Sequence, residues 1–403
     1  MSRERNSQEV TVMNIAILIP ELGGGGAERV AQILGDYYVE KGNNVYYFIA
    51  DTNTKQDYFV KGVIIRTNIE SCMKEEFNDV EILLRLFINS LKLRKLKAQY
   101  KVDVAISFME EFNYLNVLSK GKEKVIARVC TILSPRKELI GFFYKKRVVH
   151  FFYSWADKVV VMSQYALKDM VCCYNLLPSK IVKIPNPANG LINQSSHKLW
   201  DFGIKSVLCV GRLEAVKQQE RIIRAFSFVC KRDNDAKLII LGKGSQLHYL
   251  KNICDKLKIK DFVIFIGFTD NVTYYLEHAR AFVMASKVEG FPNSMIEAMN
   301  YGVPVITTDS PGACGEIVGK PKSINRVDSM ILCKYGILTP KMPNEKLKMN
   351  SQLSKQEVIL GEAMLKVLTD NEIYESFRNQ SFKRAEMFSL DKIINRWNQV
   401  IVK

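Results

Sequence analysis

The chain has 403 residues, of which 47% are hydrophobic and 25% are charged, an ordinary composition for a globular protein and enough length for two domains. Its formal net charge of +16 calls for an anionic partner. No zinc-finger, RRM or KH signature accompanies that charge, which argues against nucleic acid. No apolar run approaches the roughly 20 residues that span a bilayer, so no transmembrane helix is expected.

Nine cysteines are scattered without the spacing of a metal site or a disulfide framework. The apolar residues 13–20 lead into a glycine loop rather than a small-residue cleavage site, so we expect no secretion signal. These two features predict reduced thiols and a cytoplasmic location.

The first half of the chain alternates apolar runs with amphipathic segments. Residues 13–20 form the continuous apolar run of a buried parallel strand, and glycines 23–26 separate it from a helix predicted over 27–41. Further strands are predicted over 45–50, 102–108, 125–129 and 159–162. This alternation predicts a doubly wound, Rossmann-like domain.

A turn-rich segment, 184–190, contains two prolines, two asparagines and a glycine. Because this mixture continues neither a helix nor a strand, it predicts a boundary between an N-terminal domain over 1–187 and a C-terminal domain over 188–384. The last residues, 385–403, include an amphipathic helix that we expect to pack back on the first domain.

The alternating pattern starts again after this break. Strands are predicted over 206–210, 237–241, 263–266, 281–285 and 303–307, with helices between them. The fold class is therefore predicted to be α/β, with two Rossmann-like domains that face each other across a cleft. Ligands would bind in that cleft, at the carboxyl ends of the strands.

The strongest motif is Glu-Gly-Phe-Pro-Asn-Ser-Met-Ile-Glu over 289–297, between a predicted strand and a predicted helix. Asn293 or Ser294 is a natural N-cap, and the amides of the first turn, at the positive end of the helix dipole, could bind a diphosphate. Two carboxylates would repel a diphosphate, so we assign Glu297 to ribose hydroxyls and Glu289 to hydroxyls of a transferred hexose. The alternative is a capped helix with two surface glutamates.

A second motif, Gly-Arg-Leu-Glu-Ala-Val-Lys over 211–217, follows a predicted strand and places two cations close together. Arg212 can grip phosphate oxygens through a fork of donors, while Lys217 supplies a compact charge. Together they could stabilise the negative charge that grows on a departing diphosphate. The alternative is a pair of solvated surface cations.

In their order and spacing these motifs resemble the retaining GT-B glycosyltransferases of family 4, also called glycosyl transferases group 1. Gly-Gly-Ala-Glu-Arg over 25–29, Phe-Ile-Gly-Phe over 265–268 and Thr-Asp-Ser-Pro-Gly-Ala over 308–313 extend the resemblance to most of the chain.

The resemblance implies a nucleotide-diphosphate sugar as donor, with Arg212, Lys217 and Glu289 as the catalytic residues. The backbone around Gly267 and Phe268 would contact the base. The residues that it implies at the donor are Glu297, Gly25, Gly26, Gly267, Phe268, Phe291, Pro292, Asn293, Ser294 and Met295.

On the facing domain, the resemblance implies that Gly25 and Gly26 let a loop approach the donor phosphate and the acceptor. Many family members place a histidine near the donor sugar after a strand of this domain. The matching stretch here, Ala-Arg-Val-Cys-Thr over 127–131, contains none, so Arg128 is our candidate for that acceptor-side position.

The implied reaction is sugar transfer with retained anomeric configuration, without a metal or a cofactor, because cations and amides neutralise the leaving group. We expect a hexose or N-acetylhexosamine donor, UDP-linked, and a lipid-linked or saccharide acceptor in bacterial surface glycan assembly. Two alternatives stay open: a UDP-sugar 2-epimerase of the same architecture, and a non-catalytic nucleotide-sugar-binding subunit.

Basic residues cluster in two places. Leu-Lys-Leu-Arg-Lys-Leu-Lys over 91–97 continues an apolar run, and Lys-Lys-Arg over 145–147 is flanked by aromatic residues. Such pairings suit an anionic membrane surface, and with the resemblance they predict a peripheral protein at the inner face of the membrane. The alternative is two ordinary helices, each with a core face and a solvated face.

Overall fold

The computed structural model describes residues 12–23, 25–50, 59–72, 77–134, 141–188, 205–345 and 351–402. Seven strands of the first half form one sheet: β1 (Asn14–Ile19), β2 (Asn44–Ile49), β3 (Val63–Arg66), β4 (Val104–Phe108), β5 (Lys124–Arg128), β6 (Lys158–Val161) and β7 (Ile181–Lys183). Their order is β3-β2-β1-β4-β5-β6-β7, and neighbouring strands are parallel.

Five helices of the first half accompany this sheet: α1 (Gly26–Glu40), α2 (Asp79–Gln99), α3 (Glu110–Leu118), α4 (Lys146–Trp155) and α5 (Gln164–Cys172). The central strands β1 and β4 are buried along almost their whole length, because helices cover both faces of a parallel sheet. Their sequences are accordingly continuous apolar runs rather than alternating ones.

The second half repeats the plan with β8 (Ser206–Val210), β9 (Lys237–Leu241), β10 (Val263–Gly267), β11 (Ala281–Met284), β12 (Val305–Thr308), β13 (Ile331–Cys333) and β14 (Gly336–Thr339). The strand order is β10-β9-β8-β11-β12-β14-β13, and β13 alone among these strands runs antiparallel to its neighbour. The predicted α/β class with two Rossmann-like sheets is confirmed.

Eight helices accompany these strands: α6 (Gln219–Cys230), α7 (Leu247–Lys256), α8 (Val272–His278), α9 (Asn293–Asn300), α10 (Cys314–Val318), α11 (Lys355–Thr369), α12 (Asn371–Glu386) and α13 (Leu390–Ile401). The last of them leaves the second half. Ile393, Ile394 and Trp397 of α13 lie in the core of the first sheet, and the Tyr38 hydroxyl of α1 donates to Asn398 Oδ1 at 2.7 Å.

Lys97 does not belong with the exposed basic residues of the cluster over 91–97, contrary to the sequence-based expectation. Its side chain is buried, and its ammonium donates to Glu123 at 2.9 Å and to the Asn116 side chain at 2.6 Å. Burial lowers the pKa of Lys97 to about 8, although Glu123 opposes that shift. This cation therefore stabilises the packing of α2 and is not available to a membrane surface.

A buried ion network joins α6 to α11. The Glu357 carboxylate accepts hydrogen bonds from Arg221 at 3.0 Å and from Arg224 at 2.9 Å. Burial acts to raise the pKa of Glu357, but the hydrogen bonds from Arg224, the Ser354 amide and Arg221 outweigh it and hold the pKa below its ordinary value. Arg221 and Arg224 of α6 therefore share the Glu357 carboxylate as their counter-charge.

We expect Glu357→Gln to lower the free energy of unfolding by about 3–5 kcal/mol, because it leaves two buried guanidinium groups without a counter-charge. Urea unfolding measures the change. Glu362→Gln, on the exposed side of the same helix, serves as the control and is expected to shift stability by less than about 0.5 kcal/mol. Equal shifts in the two variants would contradict this account.

Candidate active site

Three strands of the second sheet end in glycine turns that lie against one another. The Gly211 amide donates to the Leu241 carbonyl at 3.0 Å, and the Gly242 amide donates to the Gly267 carbonyl at 2.8 Å. Gly242 has φ +140°, and a Cβ there would lie 1.9 Å from the Gly211 carbonyl oxygen. Only glycine fits such a contact, and this contact fixes the start of the loop that carries Arg212 and Lys217.

Lys217 and Glu289 are in direct contact. The Lys217 ammonium donates to Glu289 Oε1 at 2.5 Å, and both side chains are largely buried. The Lys287 amide donates to the Val216 carbonyl at 2.8 Å, which holds the loop after β11 against the loop after β8. An ammonium has three donors, so the bond to Glu289 leaves donors for a second anion.

The backbone of Glu289 is fixed from the other side by the turn after β12. Its amide donates to the Pro311 carbonyl at 3.0 Å, and its carbonyl accepts from Ala313 at 3.2 Å. Gly312 has φ +124°, and a Cβ there would lie 1.5 Å from the Glu289 carbonyl oxygen. A side chain at position 312 would therefore displace the carboxylate that faces Lys217.

Arg212 lies at the surface of the cleft. Its side chain is 70% exposed, and its guanidinium donates to Glu214 at 3.0 Å. An exposed pair of this kind contributes little to stability, so the guanidinium can exchange Glu214 for another anion at small cost. Burial raises the pKa of Glu28 on α1, and the Arg212 guanidinium is close enough to oppose that shift in part.

Helix α9 corrects the predicted N-cap. Pro292, not Asn293 or Ser294, is the N-cap residue, and no side chain caps this helix. Asn293 opens the first turn instead, and its side chain accepts a hydrogen bond from Asn186 at 2.5 Å. The first turn is thereby left with amides that a ligand can bind.

The side chains of Phe291 and Met295 lie in the core of the second half. Phe291 packs edge to face on Phe388, with ring centroids 5.4 Å apart. The predicted donor contacts of these two residues can therefore come only from their backbone. The Met295 amide already donates to the Pro292 carbonyl at 3.2 Å.

The residues predicted to contact the base lie at the end of β10. Gly267 has φ +85° and opens onto free space, and Phe268 is 61% exposed. The Lys243 ammonium lies 4.8 Å from the centre of the Phe268 ring. An exposed ring beside a cation is a suitable platform for a planar, polar ring system.

Glycines also let the two halves approach each other. A Cβ at Gly26 would lie 3.4 Å from Asn293 Nδ2, so the start of α1 faces the start of α9. A Cβ at Gly290 would lie 2.6 Å from Met162 and 3.0 Å from the Cys130 carbonyl of the first half. The predicted residues of both halves therefore meet in one cleft.

Three residues of this cleft were not among the predicted site residues. Glu28 is buried, and a Cβ at Gly25 would lie 2.2 Å from its carboxylate. Arg29 acts electrostatically on Glu297, and Asn186 bonds Asn293. The Gly-Gly-Ala-Glu-Arg pattern over 25–29 indicates Glu28 and Arg29, whereas no local sequence pattern indicates Asn186.

Arg128 does not occupy the acceptor-side place proposed for it. Its side chain is 1% exposed and lies between the rings of Phe108 and Trp397, and Nη2 donates to Asn186. Because the Arg128 side chain is buried, it is not exposed to an acceptor.

The part of the chain that the structure describes contains histidine, cysteine, aspartate and glutamate side chains in both halves. No group of three or more histidine, cysteine, aspartate or glutamate side chains there is placed to hold a metal ion.

Glu297 lies one turn beyond Asn293 on α9. Burial raises the pKa of Glu297 to about 7, and the Arg29 guanidinium partly opposes that shift. The folded state therefore holds this proton more tightly than the unfolded state, whose carboxyl titrates at its ordinary value. The contribution of Glu297 to stability falls as pH rises from about 4.5 to 7 and stays unfavourable above that range.

We expect Glu297→Gln to be more stable than the wild type by about 1–3 kcal/mol at pH 8 in ligand-free protein, and to gain nothing at pH 4. Urea unfolding at intervals between pH 4 and pH 8.5 measures the difference. Glu277→Gln, an exposed glutamate on α8, is the matched control and is expected to show no such trend. A pH-independent difference for Glu297→Gln would contradict the assignment.

Each half of the chain matches a described family. Residues 24–189 match the family described as Glycosyltransferase Family 4, and residues 197–325 match the family described as Glycosyl transferases group 1. A Campylobacter jejuni relative is 26% identical over 95% of this chain and 97% of its own, and it is named N-acetylgalactosamine-N,N'-diacetylbacillosaminyl-diphospho-undecaprenol 4-alpha-N-acetylgalactosaminyltransferase. An uncharacterized glycosyltransferase of Methanocaldococcus jannaschii is 27% identical over 85% of this chain and 90% of its own.

Among solved structures, Anabaena HepE in complex with UDP superposes with a TM-score of 0.72 at 14% identity, covering 97% of this chain and 100% of its own. Sucrose-phosphate synthase from Thermosynechococcus elongatus superposes with a TM-score of 0.72 at 17% identity, covering 96% and 98%. At these identities the likeness establishes the fold. The chain therefore belongs to the family 4, or group 1, glycosyltransferases, has their GT-B fold and is a glycosyltransferase enzyme.

Proposed function

We propose that this enzyme transfers a hexose or N-acetylhexosamine from a UDP-linked donor, with retention of configuration, to a lipid-linked or saccharide acceptor. The observation that carries the proposal is the meeting of Lys217 and Glu289 beside the uncapped start of α9. A cation and free amides suit a diphosphate, and an adjacent carboxylate suits sugar hydroxyls. The UDP bound by Anabaena HepE, a structure of the same fold, supports the choice of base.

In this proposal the bond between the anomeric carbon and the diphosphate oxygen breaks while the acceptor oxygen bonds to the same face of that carbon. The acceptor proton passes to the departing diphosphate. Lys217, Arg212 and the amides of α9 stabilise the charge that appears on the leaving group. These groups supply the neutralisation without a metal ion or a cofactor.

In this scheme Glu289 and Glu297 bind hydroxyl groups of the donor, and neither of them transfers a proton. Glu289 lies next to Lys217, so its free oxygen is placed to accept a hydroxyl of the transferred sugar. Glu297 lies one turn beyond Asn293 on α9 and accepts the ribose hydroxyls. A carboxylate that accepts two hydroxyl donors is stabilised in its charged form, which offsets the burial that raises the pKa of Glu297.

The acceptor class rests on the relatives. The Campylobacter protein is named for an acceptor linked to diphospho-undecaprenol, and a Bacillus subtilis relative is named poly(glycerol-phosphate) alpha-glucosyltransferase. The Bacillus match is 28% identical and covers 56% of this chain but 29% of that protein. Both names describe acceptors with phosphate groups, and a chain of net charge +16 suits such acceptors. The transferase names do not favour the 2-epimerase alternative.

The membrane proposal rests on helix α2, which is apolar on two sides. One side, with Ile82, Leu86 and Leu93, is buried in the core of the first half. The other carries side chains that are between 45% and 74% exposed, at the spacing of one helical face: Val80, Leu83, Leu84, Phe87, Ile88 and Leu91. This second stripe supports the membrane surface over the alternative of an ordinary helix with a solvated polar face.

Cations flank the exposed stripe. Lys92, Arg94 and Lys95 are exposed at the carboxyl end of α2, and Lys145 of the second basic cluster pairs with Asp79 at its start. Across the described residues, no helix combines the length and the apolarity needed to span a bilayer. We therefore propose that α2 lies on an anionic membrane surface, where a lipid-linked acceptor would be found.

The transfer proposal predicts that Lys217→Met and Glu289→Gln each lower kcat about 100- to 1,000-fold, since each removes a group that stabilises the transition state. The assay follows transfer of labelled sugar from UDP-glucose, UDP-galactose and their N-acetyl forms to a bacterial lipid extract. Lys256→Met, an exposed lysine on α7, is the control and should keep wild-type turnover. Epimerised donor without transfer would support the 2-epimerase, and binding without turnover would support a non-catalytic subunit.

The membrane proposal predicts that the wild type co-sediments with vesicles containing phosphatidylglycerol and much less with pure phosphatidylcholine. Leu84→Ser together with Phe87→Ser should weaken that binding at least about 10-fold, because each change removes apolar area that the bilayer would bury. Leu177→Ser, at an exposed leucine outside α2, should leave it unchanged. Equal vesicle binding by the double variant and the wild type would refute the role of α2.

A further inference from the structure

Three side chains form a buried chain of hydrogen bonds that connects the first half to the start of α9. Arg128, at the end of β5, donates through Nη2 to Asn186 Oδ1. Asn186 lies between the two sheets and donates through Nδ2 to Asn293 Oδ1 at 2.5 Å and to the Phe291 carbonyl at 3.4 Å. Arg128 and Asn186 are both more than nine-tenths buried.

The donor and acceptor in each of these hydrogen bonds follow from the chemistry of the side chains. A guanidinium has donors and no acceptor, so Asn186 has to turn its oxygen toward Arg128 and its NH₂ group toward Asn293. Asn293 then has to turn its oxygen toward Asn186, which leaves its NH₂ group on the opposite side. That group faces the start of α1, where a Cβ at Gly26 would lie 3.4 Å from Asn293 Nδ2.

Arg128 is itself held in one place by its surroundings. Its guanidinium lies 5.3 Å from the ring centre of Phe108 and 5.9 Å from that of Trp397 on α13. Within the described residues no carboxylate pairs with it, and its Nε and Nη1 have no hydrogen-bond partner. Burial of a cation without a carboxylate is unfavourable, so a role in orienting Asn186 accounts for this group better than a contribution to stability.

We propose that Arg128 and Asn186 are positioning residues that direct the NH₂ group of Asn293 into the cleft, as a hydrogen-bond donor to an oxygen of the diphosphate or sugar of the donor. The inference rests on the proposed function, since it names the part of the nucleotide sugar that Asn293 binds. It gives Arg128 a role in the donor half of the site, through two intermediate side chains, in place of a contact with the acceptor.

Asn186→Asp tests the proposal with almost no change in volume. The carboxylate keeps the contact with Arg128 as an ion pair, but it has only acceptors, so Asn293 must rotate and present its oxygen to the cleft. We expect kcat/KM for the UDP-sugar that the wild type uses best to fall about 10- to 100-fold, the loss expected from one hydrogen bond to a charged group. The melting temperature should not fall.

Asn293→Asp also replaces the donor that faces the cleft by an oxygen. Its carboxylate still accepts the hydrogen bond from Asn186, and its second oxygen faces the cleft. It should lose activity to a similar extent. In an Asn293→Ala background, Asn186→Asp should change kcat/KM by less than about twofold, since the residue through which it acts is gone. Asn398→Asp, which keeps the acceptor for Tyr38 on α13, is the matched control and should retain wild-type activity.

Wild-type kcat/KM in Asn186→Asp would overturn the proposal. So would a loss of the same size in the Asn293→Ala background, because Asn186 would then act by another route. A wild type that neither turns over the four UDP-sugars nor binds UDP in calorimetry would overturn the proposed function, and this inference with it. Turnover by the wild type with no effect of Asn186→Asp would overturn the inference alone.

Discussion

Close contacts between backbone segments position the charged groups of the donor half. The carbonyl of Gly211 occupies the space that a side chain at 242 would need, and the carbonyl of Glu289 occupies the space that one at 312 would need. These contacts fix the backbone of the loops that carry Lys217 and Glu289, which places the two charged side chains within reach of each other. A site built this way is arranged before its ligand arrives, and preorganised groups stabilise charge at little reorganisation cost.

The two halves are joined by polar contacts as well as by the chain itself. Glu316 of α10 accepts from the Gln164 amide at 2.7 Å and from Lys183 at 2.8 Å, both in the first half. These contacts are partly exposed, and partly exposed ion pairs are weak. By contrast, α13 inserts Trp397 into the first core. The apolar contact of α13 is therefore a stronger connection between the two halves than these polar contacts.

The sequence predicts the sheet strands well, because a buried parallel strand is a continuous apolar run. Each predicted strand is present with its bounds displaced by no more than two residues. Four further strands were not predicted: the edge strands β3, β7 and β13, and β14, which lies between β12 and β13. Each of these has four residues or fewer and is too short to stand out in the sequence. The motifs over 211–217 and 289–297 could be placed at strand ends from their neighbours alone. Burial of Lys97 could not be predicted, because it depends on Glu123, which is 26 residues away. The role of Asn186 in the site could not be predicted for the same reason. Its neighbours in the sequence indicate only a turn, and its partner Asn293 on α9 is 107 residues away.

Charge is buried on both sides of the cleft before any ligand is present. Glu297 loses solvation on α9, and Arg128 is enclosed by aromatic rings on the facing side. Both arrangements destabilise the ligand-free fold. A nucleotide sugar that donates hydroxyls to Glu297 stabilises its charged form, so part of the binding free energy offsets a cost that folding has already incurred. The ligand-free protein is therefore less stable than it would be without these buried charges, and binding of a hydroxyl-rich, anionic ligand offsets that loss of stability.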